Sequence, residues 1–300
     1  MKFSHEAITQ AAIHSFDGAD NPRLKLIMQS LVKHLHAFAQ ETQLTEAEWM
    51  AGIQFLTATG HQCDDVRQEF ILLSDTLGLS MLLVAMHDGT QQGATEATVL
   101  GPFHTHDAPA IHNGADITNG APGEPLHVTG RVVTTDGKPL ANAVVDVWQA
   151  DSEGLYDVQR GELKSQRRAR GLIHTDSHGN FSFWTVLPEA YPVPTDGPVG
   201  QMLLNTGRHP WRPAHIHFMV KADGYQPLVT HIFREGDRYL DSDVVFGVRP
   251  SLVGKFQAHE NGKAADGREM KMPYWSLDYE FALQKNSERE YWPSRQVLGE

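Results

Sequence analysis

Apolar residues in the first third of the chain fall at helical intervals. Leu24, Ile27, Met28, Leu31, Leu35 and Phe38 recur at steps of three and four, which places them on one helical face. Asn21-Pro22 supplies the start: a side chain that accepts from free backbone N–H groups, then a proline whose missing N–H costs nothing there. Thr45 followed by Glu48 reads as a capping box for a second helix, with Trp49, Ile53 and Leu56 expected to face inward. A third helix is expected over about residues 64 to 83, apolar enough to be buried on most sides. On it Leu72, Asp75 and Leu79 would share a face, and a carboxylate inside an apolar run needs a partner or a purpose.

The period changes near Gly101-Pro102. Glycine and proline cluster over residues 114–125, and short β-rich runs with turn signals follow. LHVTGRVV and NAVVDVWQA flank Asp136-Gly137, a turn dipeptide that predicts a strand pair. GLIHTD and NFSFWTVL predict another across residues 177–179, and AHIHFMVKA, LVTHIF and YWSLDYEFAL complete a set typical of a β-sandwich. The expected class is α+β: a helical N-terminal domain over residues 1–105, then an antiparallel β-sandwich over 106–300.

Charge and composition narrow the function. A net charge of −12 argues against a broad nucleic-acid surface, which needs lysine and arginine to displace counterions. The basic stretch at residues 160–170 reads as a solvated loop. One cysteine, Cys63, excludes an intramolecular disulfide and any cysteine-rich metal site. No apolar run reaches the ~20 residues of a membrane span, and no secretory h-region opens the chain, so a cytoplasmic location is the default expectation.

Histidine is abundant, at 17 residues, and three His-x-His pairs invite a metal. His34 and His36 lie on the first helix, where residues two apart point to different faces. His104 and His106 fall in a loop, where spacing says little. His215 and His217 sit in a strand, so alternation aims both imidazoles at one face, about 7 Å apart along the chain. Taken alone, that pair fits a structural pair on a polar face as well as a metal site. The His-Glu-x-x-His zinc motif and a cupin-type glutamate are both missing, so further ligands must come from elsewhere in the chain.

RPAHIHF, GLYDVQ around Tyr156 and PEAYPVP around Tyr191 resemble the motifs of the intradiol ring-cleavage dioxygenases. The likeness spans most of the chain, taking in EFILLSDTLGLSMLL, EATVLGPF and the block from GEPLHVTGRVV to DVVFGVRPSL. It implies one Fe(III) per subunit held by Tyr156, Tyr191, His215 and His217, and cleavage of an aromatic ring between two hydroxylated carbons with O2. By the same resemblance Tyr191 also leaves the metal to act as an internal base, and Arg212 stabilises charge that develops on the ring.

The resemblance further implies a substrate cavity lined by Leu72, Asp75, Val99, Leu100 and Gly101. Pro102, Phe103, Val193 and Pro194 complete its implied wall. His231 stands where catechol-cleaving members tend to carry glutamine, and with VTHIFREGDRYLDSDVVFG it pulls toward the hydroxyquinol-cleaving branch. Asp75 would then face the third hydroxyl of that substrate, or else cap a neighbouring backbone. The implied assembly is a homodimer paired through the N-terminal helices, with a phospholipid between them in some members. Cleavage of catechol or chlorocatechol is the alternative activity, and a non-catalytic transthyretin-like binding module or a zinc hydrolase the more distant ones.

Overall fold

The computed structural model describes residues 4–64, 67–87, 92–160 and 167–286, so most of the basic stretch, residues 161–166, lies outside the described residues. Its chain divides into two compact units, one ending at Thr57 and one running from Ala58 to Asn286.

The first unit is helical. Helix α1 (His5–His14) opens with Ser4 Oγ accepting from the Ala7 N–H. Helix α2 (Pro22–Glu41) opens as its sequence predicts, with Asn21 Oδ1 accepting from the N–H groups of Arg23 and Leu24. Gln29 Nε2 ties the two helices by donating to the Ile13 carbonyl and to Asp17. The capping box of α3 (Glu46–His61) is formed: Thr45 N–H donates to Glu48 Oε2 at 2.9 Å, and Glu48 N–H to Thr45 Oγ1 at 3.3 Å. The expected inward face is not buried. Leu35, Phe38 and Trp49 are 54%, 53% and 54% exposed, and Ile53 and Leu56 are exposed as well. A few helices enclose too little volume to bury an apolar stripe against one another.

The single helix expected over residues 64–83 is two. Helix α4 (Glu69–Thr76) stops at Leu77-Gly78, and α5 (Leu79–His87) leaves at 72° to it. Gly78 adopts φ +78°, which only glycine enters without strain, so Leu79 no longer shares a face with Leu72 and Asp75. Leu72, Leu73, Asp75 and Thr76 are buried, but α5 buries only Met81.

These two helices belong to the second unit, and the rest of that unit is a two-sheet sandwich. Its strands are β1 (Ala115–Asp116), β2 (Pro125–Thr134), β3 (Val144–Gln149), β4 (Arg170–His174), β5 (Asn180–Val186), β6 (Tyr191–Pro192) and β7 (Trp211–Arg212). After them come β8 (His215–Lys221), β9 (Leu228–Arg234), β10 (Val253–Gly254), β11 (Gln257–His259), β12 (Gly262–Lys263), β13 (Glu269–Met270) and β14 (Tyr274–Leu283). A helix, α6 (Pro198–Asn205), lies between β6 and β7. One sheet runs β1-β5-β2-β14-β11 and the other β10-β9-β8-β3-β4.

Both strand pairs predicted from turn signals are crossings between the sheets instead. The turn at Gly137 forms, with Thr134 donating to and accepting from its far side, but β2 and β3 then enter different sheets. Pro139 follows that turn directly and has no N–H to extend a ladder. The segments β4 and β5 likewise separate at Asp176–Gly179, while the β8–β9 pair is antiparallel neighbours. Most pairings are antiparallel, but β14 runs parallel to β2 from Leu126 to Thr134, as a strand returning after a long excursion can.

Alternation does the rest. Val128, Val132, Val145, Val147, Phe181, Phe183, Ile216, Phe218, Val220 and Phe281 fill the space between the sheets. The opposite face of the second sheet carries Trp148, His217 and His231 as directly paired residues across β3, β8 and β9.

Candidate metal centre

That outer face is where polar side chains converge. His215 and His217 follow one another on β8, and their Nε2 atoms lie 3.1 Å apart. The His217 Nε2 is 2.9 Å from the Tyr156 hydroxyl, and the Tyr156 hydroxyl 3.3 Å from that of Tyr191. All four side chains are buried. Two loops bring the tyrosines in. Tyr156 ends a turn held by Asp151, whose Oδ1 accepts from the Glu153 and Leu155 N–H groups, and a 3-10 turn, Asp157–Arg160, follows. Tyr191 pairs in β6 with Arg212 in β7, and Gly154 approaches it so closely that a Cβ there would lie 3.1 Å from the Tyr191 Cβ.

The donors suit a metal. The Pro213 carbonyl can only accept, and it lies 2.7 Å from His215 Nδ1, so that nitrogen carries the proton and Nε2 presents a lone pair. Burial holds His215 and His217 well below the ordinary histidine range, with the Arg212 charge adding to it at His215 and His231 at His217, so both rings stay neutral as ligands must be. Burial pushes the Tyr156 hydroxyl well up, with Tyr191 adding to it; an uncompensated phenolate would be costly here, and a cation is what would permit one. Ligands about 2.1 Å from a common centre and at right angles are ~3 Å apart, the spacing seen along this chain of donors.

The rest of the shell is close-packed. Trp148 stacks on His217 at 4.7 Å, and Phe103 stacks on Tyr156 at 4.4 Å. Gly101 also approaches His217: it has φ +75°, and a Cβ there would meet the ring at 3.1 Å. We expect Gly101→Ala to lower metal content and turnover together by at least about tenfold, since both the backbone strain and the contact push on His217, a candidate ligand; unchanged metal in the purified variant would refute this.

The predicted wall residues fare differently. Leu72, Val99 and Val193 are buried, Pro194 is half-buried, and Leu100 and Pro102 are exposed. Asp75 is buried, and burial raises its carboxyl above the usual range, against the opposing effects of a Ser80 hydrogen bond and the Arg212 charge. His231 accepts or donates at Nδ1 with Thr98 Oγ1 at 2.9 Å, and its Nε2 has no protein partner. Its ring centroid is 4.2 Å from that of His217, and the three histidines bring one nitrogen each within 4.8 Å of the others, looser than the tyrosine–histidine chain. The structure brings neither other His-x-His pair here: His36 bonds Thr9, and His104 pairs with Asp146 at 2.9 Å.

Two buried arginine–carboxylate pairs support the site, and of their members only Arg212 is singled out by the sequence. Arg170, within the stretch expected to be solvated, is 1% exposed and grips Asp157 at 2.6 Å while donating to the Phe103 carbonyl. It thereby ties the Phe103 wall to the segment bearing Tyr156. Arg212 is paired with Asp243 at 3.1 Å, both buried, and its Nη1 lies 3.4 Å from His215 Nε2. Burial alone would lower the Arg212 pKa, but the Asp243 carboxylate, with Tyr191 and Tyr156 adding to it, outweighs that and keeps it raised.

Comparison with known proteins gives the family. The family described as Dioxygenase matches residues 99–285, and the catechol dioxygenase N terminus matches residues 21–95. The chain belongs to the intradiol ring-cleavage dioxygenase family. It is 54% identical over 283 residues to the 6-chlorohydroxyquinol 1,2-dioxygenase of Cupriavidus pinatubonensis, covering 94% of this chain and 98% of that one. It is 49% identical to the hydroxyquinol 1,2-dioxygenase of Nocardioides simplex, over 92% and 94% of the two chains. Among solved structures, the hydroxyquinol 1,2-dioxygenase from Pseudomonas putida DLL-E4 superposes with a TM-score of 0.87 at 47% identity, covering 94% and 99%. The α+β layout expected from the sequence is that of this dioxygenase family.

Proposed function

We propose that this intradiol dioxygenase uses one iron(III) per subunit, held by Tyr156, Tyr191, His215 and His217, to open hydroxyquinol between its adjacent hydroxylated carbons with O2. The observation that carries the reading is the buried convergence of two phenol oxygens and two neutral imidazoles within 3.3 Å steps. Phenolate oxygen suits a hard trivalent ion, and among the described residues the cluster that could hold a metal contains histidines and no thiolate or carboxylate. The named activities of the relatives support hydroxyquinol, or a chlorinated hydroxyquinol, over catechol.

Iron(III), when bound, would supply the Lewis acidity that acidifies the two substrate hydroxyls. Tyr191 would take one of those protons on its own hydroxyl oxygen, and it is suited to move because it stands on a two-residue strand. Arg212, its partner across that strand pair, holds a fixed positive charge where negative charge develops on the ring. Trp148 and Phe103 close the flanks and exclude water. Asp75 would recognise the third hydroxyl: its raised carboxyl donates or accepts according to its protonation.

Two measurements test this. Anaerobic addition of hydroxyquinol to the purified protein is expected to shift a broad visible tyrosinate-to-iron band to longer wavelength, and a protein that stays colourless after iron reconstitution would sink the reading. Asp75→Ala is expected to cut the preference for hydroxyquinol over catechol by about tenfold, the value of one buried polar contact; an unchanged ratio of kcat/KM values removes Asp75 from specificity. We further propose that the exposed apolar stripe of α2 and α3 pairs two subunits, with a phospholipid able to lie between them. A cytoplasmic location completes this reading; among the described residues, no single helix is long and apolar enough to cross a membrane.

A further inference from the structure

We propose that Asp243 is the positioning residue that aims Arg212 into the metal centre, and that the turn behind Asp243 serves to hold its carboxylate still. The inference rests on the dioxygenase reading of the site given above. Asp243 lies in the segment between β9 and β10, far from either histidine in sequence, and is 6% exposed. Its carboxylate faces four donors. Arg212 Nε donates to Oδ1 at 3.1 Å and Arg212 Nη2 to Oδ2 at 3.3 Å. From behind, the Val245 N–H donates to Oδ1 at 3.3 Å and the Gly247 N–H to Oδ2 at 3.0 Å.

The turn that presents those two N–H groups is unusual. It is closed by the Phe246 N–H donating to the Asp243 carbonyl at 2.9 Å, and Phe246 itself has φ +61°. A bulky aromatic residue adopts that conformation only where its surroundings impose it, and such residues gather at functional sites. The next position has no room for a side chain: a Cβ on Gly247 would lie 3.0 Å from Asp243 Oδ2 and 3.1 Å from Arg212 Nη2. Backbone therefore grips the carboxylate from one side while the guanidinium meets it from the other.

The side-on pairing decides where the remaining nitrogen points. A guanidinium is planar, so fixing Nε and Nη2 fixes the direction of Nη1. That third nitrogen is the one not committed to Asp243, and it reaches to 3.4 Å from His215 Nε2, at the edge of the metal centre. With His215 Nε2 engaged by a metal, Nη1 is left as a free, buried, cationic donor whose aim Asp243 has set. A pair that only held the fold together would make no demand on that aim.

The test compares wild type, Arg212→Ala, Asp243→Asn and the double variant, each loaded with iron. Anaerobic hydroxyquinol titrations followed in the visible report binding, and oxygen uptake reports kcat and KM. All four proteins are expected to keep the resting band and its substrate-induced shift, while each single substitution lowers kcat by about 100-fold and leaves KM within about threefold. The double variant is expected to be no slower than Arg212→Ala, because Asp243 acts through Arg212. Added guanidinium is expected to restore about tenfold of the turnover of Arg212→Ala, where the carboxylate remains to hold it, and none in the double variant. Wild-type kcat in Asp243→Asn, losses that multiply in the double variant, or equal rescue of both proteins would each overturn the proposal. Should Asp243→Asn fail to fold, the rescue comparison decides, since the double variant leaves neither charge unpaired. A wild-type protein with no visible band would count against the metal site itself and not against this pairing.

Discussion

His217→Ala is expected to leave the purified protein with less than about a tenth of the wild-type iron and with turnover at background. This residue is one of the four proposed ligands, and its ring meets those of Trp148, Tyr156, His215 and His231. Its Nε2 lies near both His215 Nε2 and the Tyr156 hydroxyl, Trp148 stacks on its ring, and Gly101 packs close to that ring. Removing even an outer partner of a metal ligand costs roughly 10–100-fold in affinity, so removal of the ligand itself costs at least that. Metal analysis and the visible band check it together. A coloured, iron-replete variant would mean that His231, directly across from His217 on β9, is the ligand in its place.

Arg212→Ala is expected to keep its iron and lose about 100- to 1,000-fold in turnover, the scale of a group that meets charge only as it develops. The residue is not one of the four donors, so the resting spectrum should survive. Oxygen uptake per iron, compared with wild type, reads the loss directly, and full uptake would remove Arg212 from the chemistry. Stability should fall too. Deleting one partner of a buried ion pair costs about 3–5 kcal/mol in general, and here the lower end applies, because the Val245 and Gly247 N–H groups still satisfy Asp243.

What could be read in advance follows from how local each signal is. Asn21, Thr45 and Glu48 cap their helices because a cap is a contract among four neighbouring residues. The His215–His217 pair was legible because alternation along a strand is equally local. The tyrosines were not, since a buried tyrosine is ordinarily a core residue; only the family resemblance singled out Tyr156 and Tyr191. The turn at Gly137 formed as its residues dictate, but which sheet each flanking strand would join depends on partners more than 40 residues away, such as Phe183 for Val128 and Val220 for Val145. Asp243 was illegible for the same reason: its partner lies 31 residues upstream, and the DVVFG stretch it opens marked the family without showing which side chain the carboxylate would meet.

The two kinds of proposed ligand are mounted differently. His215 and His217 stand on β8, which is bonded to β3 on one edge and β9 on the other in the middle of a five-stranded sheet. Amides in such a central strand are expected to exchange with solvent through wider opening of the unit, which makes the histidine half of the proposed centre the slower to breathe. The tyrosine half hangs on a turn and a two-residue strand, whose opening is local and frequent by comparison. A metal seated between them would be anchored by one side and released, donor by donor, from the other.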